Sequence, residues 1–189
     1  MTEETVSDRE MFIAGIIVDP ASNAPIVLLK DAEGKECVPI WIGVNEANSI
    51  TQALKRAEVT RPMTHDLMKN IFDELDVSVK RIHIRALEEN TFYASIELLA
   101  KGDLRCIDAR PSDALAIAVR MGAQITIDPQ VLERAKINLI AINPEEMLNP
   151  QDLPSDNSSV NDLSFQSMDK EKWEEILAEM DPEDFKYKM

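Results

Sequence analysis

At 189 residues, 44% hydrophobic and 29% charged, the chain has the composition of one globular domain with a short extension rather than of a disordered or membrane-embedded protein. Its net charge of −15 is uneven: residues 1–142 carry 16 Lys and Arg against 22 Asp and Glu, net −6, and residues 143–189 carry 4 against 13, net −9. Such an acidic balance gives no electrostatic footprint for non-specific nucleic-acid binding and the sequence shows no basic stripe, so any nucleic-acid role needs a local basic groove or a bound cation. No apolar run approaches the roughly 18 residues of a membrane span, and the start, Thr2-Glu3-Glu4-Thr5, is acidic rather than signal-like. A cytoplasmic protein without membrane contact is the expectation. Cys37 and Cys106 lack C-x-x-C spacing and sit in apolar runs, which predicts two buried thiols.

In chain order, the β-branched run Met11 to Asp19, the turn signals Pro20 and Asn23-Ala24-Pro25, and Ile26 to Leu29 predict a β-hairpin. A third strand is expected over Glu36 to Ile42, completing an antiparallel meander. Asn45 is the predicted N-cap of a first helix with Ala47, Ile50, Ala53, Leu54 and Ala57 on one face. Thr64 is the predicted N-cap of a second helix burying Leu67, Met68, Ile71, Phe72 and Leu75. Val77 to Glu88 reads as a strand with a phase slip at Lys80-Arg81, the mark of a bulge, and His83 falls on its solvated side. Thr91 to Leu98 alternates as a half-buried antiparallel strand, and Leu104 to Asp108 forms the next one.

The segment Asp108-Ala109-Arg110-Pro111-Ser112-Asp113 then reads as a strand-to-helix junction. Pro111 suits the first helical position, which makes Arg110 the N-cap and Gly122 the C-cap. Arg110 has no oxygen to accept orphan N–H groups, so capping does not explain its presence. Gln124 to Ile127 is a short strand, Pro129 opens a brief helix, and a last apolar run ends near Ile142. The reading is an α+β domain over residues 1–142, with a mainly antiparallel sheet and helices packed against it. A polar linker over 143–168 leads to an acidic tail at 169–189, where Trp173, Ile176, Leu177 and Met180 form one short amphipathic helix. That stripe is expected to dock on its own domain, a second subunit or a protein partner.

The five glycines form neither G-x-G-x-x-G nor a phosphate-binding loop, so no nucleotide cofactor is expected, and H-E-x-x-H, C-x-x-C and G-x-S-x-G are absent. What remains is an oxygen-rich set, Glu46, Asp66, Asp108 and Asp113, with His65, Arg61 and Arg110, placed at helix starts that follow strands or turns. Carboxylates suit Mg²⁺ or Mn²⁺, and arginine grips phosphate oxygens bidentately. Each residue also has a structural reading: Glu46, Asp66 and Asp113 sit in first turns, where a negative charge complements the helix dipole.

Trp41-Ile42-Gly43 with Glu46-Ala47, Arg61-Pro62 with Thr64-His65-Asp66-Leu67, Thr91-Phe92-Tyr93-Ala94, and above all Asp108 to Ala114 occur in an order that resembles the bifunctional nuclease family over about residues 10–140. The resemblance implies a compact α+β domain that forms a homodimer, and DNase and RNase activity, with nucleic acid as substrate. It implies a groove involving Glu46, His65, Asp66, Asp108, Arg110 and Asp113. In the mechanism expected from these residue types, Asp108 and Asp113 hold a divalent metal, Mg²⁺ or Mn²⁺, with Glu46 as the candidate for a further ligand. His65, oriented by Asp66, moves the proton, and Arg110 stabilises the transition-state charge. The alternative is a non-catalytic binding or regulatory module in which the same residues form a structural ion-pair network.

Overall fold

The apolar alternation of the N-terminal segment closes into a meander. In the computed structural model, which describes residues 7–19, 22–57 and 59–138, β1 (Arg9–Val18) pairs antiparallel with β2 (Pro25–Asp31), and β2 with β3 (Glu36–Trp41). Helices α1 (Val44–Leu54) and α2 (Thr64–Glu74) follow. A second meander comprises β4 (Val77–Glu88), β5 (Thr91–Ala100) and β6 (Asp103–Ala109). The chain then passes through α3 (Pro111–Met121), β7 (Gln124–Ile127), α4 (Pro129–Ala135) and the two-residue β8 (Ile137–Asn138). The expectations for the first six residues, the run to Ile142, the linker and the Trp173 helix lie outside the described residues.

One eight-stranded sheet results, in the order β6-β5-β4-β7-β1-β2-β3-β8. Every neighbouring pair is antiparallel except β4 and β7, which run parallel. That pair is the seam between the meanders, and a parallel neighbour requires a crossover, which α3 supplies on its way from edge strand β6 back to the centre. Small residues on α3, Ala114 and Ala118, let it lie close, and they share one buried core with Leu115, Ile82, Ile84, Ala94, Ile96, Ile125 and Ile127. The mainly antiparallel α+β architecture expected from sequence is therefore present.

The local grammar around α3 also holds. Arg110 is the N-cap with extended backbone, Pro111 opens the helix, and Gly122 closes it at φ 63°, a left-handed conformation that glycine adopts without steric penalty. The bulge at Lys80 is present, and a second interrupts the β4–β5 register between Ile84 and Ala86, at Arg85.

Other expectations need correction. The first helix is capped by Gly43, not Asn45, and the second by Met63, not Thr64, because the Asp66 carboxylate accepts the Met63 N–H at 3.0 Å and fixes the start one residue earlier. On α2 only Met68 and Phe72 pack against the core, while Leu67, Ile71 and Leu75 are exposed. Cys37 is buried, and desolvation pushes its thiol up to about 12, but Cys106 is exposed because β6 is an edge strand that no helix covers. His83 is half-buried rather than solvated, with Nδ1 3.1 Å from Thr126 Oγ1 on the neighbouring strand.

Candidate functional site

Three helix starts converge beside the end of β6. Arg110, at the strand-to-helix junction, is fixed by two carboxylates: its Nε and Nη2 reach the two oxygens of Asp113 at 2.8 and 3.1 Å, and Nη2 also lies 2.9 Å from Glu46 Oε1. Asp113 stands at the third position of α3 and Glu46 at the third of α1, so each carboxylate also faces the positive end of a helix. His65, in the first turn of α2, places Nε2 3.3 Å from Asp113 Oδ1 and Nδ1 2.8 Å from Ser49 Oγ. The result is a continuous chain, Ser49–His65–Asp113–Arg110–Glu46. It runs from a hydroxyl only 4% exposed to a guanidinium that is 51% exposed.

The electrostatics keep Asp113 ionised. The hydrogen bond from His65 holds the Asp113 carboxyl down at about 2 against the opposing effect of burial, with Arg110 adding to the depression. An ionised Asp113 only accepts, so an imidazole bearing one proton satisfies both contacts with that proton on Nε2 and with Nδ1 accepting from the Ser49 hydroxyl. A carboxyl depressed in the folded state stabilises the fold at pH values above its ordinary pKa near ~4, and this contribution disappears as pH falls through about 2. The urea midpoint of Asp113→Asn is therefore expected below wild type at pH 7, with the gap narrowing from about pH 4 to about pH 2. A gap independent of pH would show that the carboxylate charge contributes nothing.

Four of the six expected site residues thus meet: Glu46, His65, Arg110 and Asp113. Asp66 does not orient His65. Its carboxylate is bound by the Arg120 Nε at 2.6 Å, a contact that ties α2 to α3. Asp108 does not join Asp113, because strand alternation turns Ala109 toward the core and Asp108 to the opposite face of the sheet, where it meets Arg85 Nη2 at 2.8 Å. Among the described residues no group of three or more His, Cys, Asp or Glu side chains is placed to hold a metal ion. The donors as arranged do not suit Mg²⁺ or Mn²⁺, since both Asp113 oxygens accept from nitrogen donors and Asp108 serves another partner. Ser49 was not anticipated. Its signal in the sequence is a hydroxyl next to Ile50 on the packed side of a helix, where a buried polar group needs a partner.

Residues 27–139 match the family model described as the bifunctional nuclease domain. An uncharacterized protein of Mycobacterium tuberculosis is 35% identical over 177 residues, covering 94% of this chain and 98% of that protein. Bifunctional nuclease 1 of Arabidopsis thaliana is 26% identical over 85% of this chain and 55% of its own length. Bifunctional nuclease 2 of Oryza sativa subsp. japonica is 27% identical over 58% of this chain and 35% of its own length.

Proposed function

The chain belongs to the bifunctional nuclease domain family, and on that premise we propose that it hydrolyses phosphodiester bonds of DNA or RNA at the Arg110 cluster. The observation that carries this reading is the exposed Arg110 guanidinium, clamped by Asp113 and Glu46 beside an imidazole. A clamped guanidinium presents its remaining N–H groups in a fixed direction, which is what binding a phosphate requires. In the proposed reaction a water oxygen attacks phosphorus, and Arg110 offsets the charge that builds on the phosphoryl oxygens. The Ser49 hydroxyl both donates and accepts, so His65 keeps its Nδ1 contact in either tautomer. For Nε2 to act as base, the resting proton moves to Nδ1, where the Ser49 hydroxyl then accepts its hydrogen bond, and the long contact to Asp113 opens. The freed Nε2 takes the proton of the attacking water and returns it to the departing oxygen.

Arginine, rather than Mg²⁺ or Mn²⁺, supplies the positive charge in this proposal, since Asp108 and Asp113 serve different partners. Cleavage that survives EDTA supports it. Activity restored by Mn²⁺ and lost in both Asp108→Ala and Asp113→Ala would instead give those carboxylates a metal-binding role. Purified protein is expected to cleave oligonucleotides, and His65→Ala to slow cleavage by about two to four orders of magnitude. Equal rates in wild type, His65→Ala and Asp113→Ala would trace the activity to a contaminant and remove the reading.

Gly43 supplies a second, independent handle. A Cβ added there would land on Glu46 Oε2, while the backbone φ of −75° suits any residue. Gly43→Ala is therefore expected to leave the fold intact, expel the Glu46 carboxylate from Arg110 and slow cleavage roughly tenfold, the value of one hydrogen bond to a charged group. An unchanged rate would show that Glu46 plays no part in holding the arginine.

Homodimerisation belongs to the same proposal. Met63, Leu67, Ile71 and Leu75 recur every fourth residue along the outer side of α2 and are all exposed, and edge strand β6 exposes Leu104 and Ile107. Apolar exposure of this extent is unusual on a monomer and fits a second copy of the chain. Sedimentation at micromolar concentration tests it, and a monomer would remove it. No helix among the described residues is long and apolar enough to cross a membrane, and we place the protein in the cytoplasm.

A further inference from the structure

Beside the end of β6, on the face to which Asp108 turns, stands an arrangement that the proposed chemistry does not use. The bulge at Arg85 breaks the β4–β5 register and re-aims that side chain, whose guanidinium lies over the Tyr93 ring, 5.5 Å from its centroid. Asp108 Oδ1 fixes the same guanidinium from β6 at 2.8 Å. The arrangement is open: Arg85 is 45% and Tyr93 37% exposed, so neither ion pair nor ring contact adds much to stability. Its position matters more. Ala94 and Ala109 are the last pair of the β5–β6 ladder, so Tyr93 and Arg110 each lie directly beyond that pair, Tyr93 on β5 and Arg110 where the chain leaves β6 for α3.

We propose that Tyr93 and Arg85 form a stacking platform for a nucleobase whose phosphate is gripped by Arg110, and that the substrate is therefore single-stranded. The proposal rests on the nuclease reading and adds the strandedness and the base contact. A base inside a duplex has both faces covered by its neighbours and offers none to a tyrosine, whereas an unpaired base stacks on aromatic rings and on guanidinium planes. The charge of the chain argues the same way. At −15 the protein gains little from counterion release, so stacking, which is weakly salt-dependent, must carry much of the affinity. Asp108 then has a role other than metal binding: it holds the Arg85 guanidinium over the ring.

The test is fluorescence anisotropy with a phosphorothioate-linked single strand, which resists cleavage, and its abasic counterpart. Tyr93→Ala is expected to weaken binding of the base-containing strand roughly tenfold, to leave the abasic strand unaffected, and to be rescued by Tyr93→Phe. Thermal melting confirms that the variant folds. Wild-type affinity in Tyr93→Ala alongside weakened binding in Arg110→Ala would overturn the platform and leave the nuclease reading standing. Faster cleavage of duplex than of single strand would likewise overturn it. If wild-type protein neither binds nor cleaves either strand, the nuclease reading fails and the platform with it.

Discussion

Replacing Arg110 with alanine is expected to slow phosphodiester cleavage by about two to three orders of magnitude, the usual effect of removing one positioned charge stabiliser from a reaction centre. The fold should barely register the change. Arg110 is the N-cap of α3 but makes no side-chain cap hydrogen bond, and its guanidinium is half exposed, so its ion pairs lie in the range of about 0–1 kcal/mol typical of surface pairs. Arg110→Lys should recover only a small part of the rate, because an ammonium cannot engage both Asp113 oxygens and a phosphate with one rigid fork. Measured side by side, single-turnover cleavage and thermal melting separate the two readings of this cluster. A large loss of rate with a nearly unchanged melting temperature supports catalysis. A lowered melting temperature with an unchanged rate per folded molecule supports a structural ion-pair network in a binding module.

The opposite pattern is expected at Asp66. Its partner Arg120 is only 5% exposed and is otherwise held by the Ala116 carbonyl at 3.0 Å. Burial acts to raise the Asp66 carboxyl, yet the hydrogen bonds from Arg120 and from the Met63 N–H outweigh it and hold the group below the usual carboxylate range. Asp66→Ala leaves a buried guanidinium without its counter-charge and removes the bond that sets the start of α2. Breaking a fully buried pair costs about 3–5 kcal/mol, and Asp66 is partly exposed, so about 2–3 kcal/mol is expected in urea unfolding. The cleavage rate per folded molecule, assayed well below the melting temperature, should change by less than about tenfold. A catalytic loss as large as that of Arg110→Ala, with stability intact, would return Asp66 to the reacting centre.

The contrast between these two residues marks what a single sequence reveals. Pro111 with Gly122, the alternation from Val77 to Glu88 and the slip at Lys80 are local signals, because capping, φ and side-chain period depend on near neighbours; all three appear in the fold. The meeting of Glu46, His65 and Asp113 depends on three helix starts brought together by a sheet whose central parallel pair, β4 and β7, leaves no local trace. Family resemblance, not periodicity, pointed to that meeting. Asp66 and Asp108 looked equally chemical in sequence, but their partners Arg120 and Arg85 lie 54 and 23 residues away, beyond any local pattern. Helix starts shifted for a related reason: Asp66, two residues inside α2, bonds back to Met63 and overrides the better capping side chain of Thr64. The outer side of α2 shows a further limit, since Leu67 and Ile71 share the apolar period of a buried face yet lie exposed.

The most direct test is a crystal structure of His65→Ala bound to a short single-stranded oligonucleotide. The expected result has one phosphate within hydrogen-bonding distance of the Arg110 guanidinium, on the side left open by Asp113 and Glu46, with the adjoining base on Tyr93. An oligonucleotide bound elsewhere on the chain, with Arg110, Asp113 and Glu46 still closed on one another, would contradict the assignment of this cluster as the reacting centre.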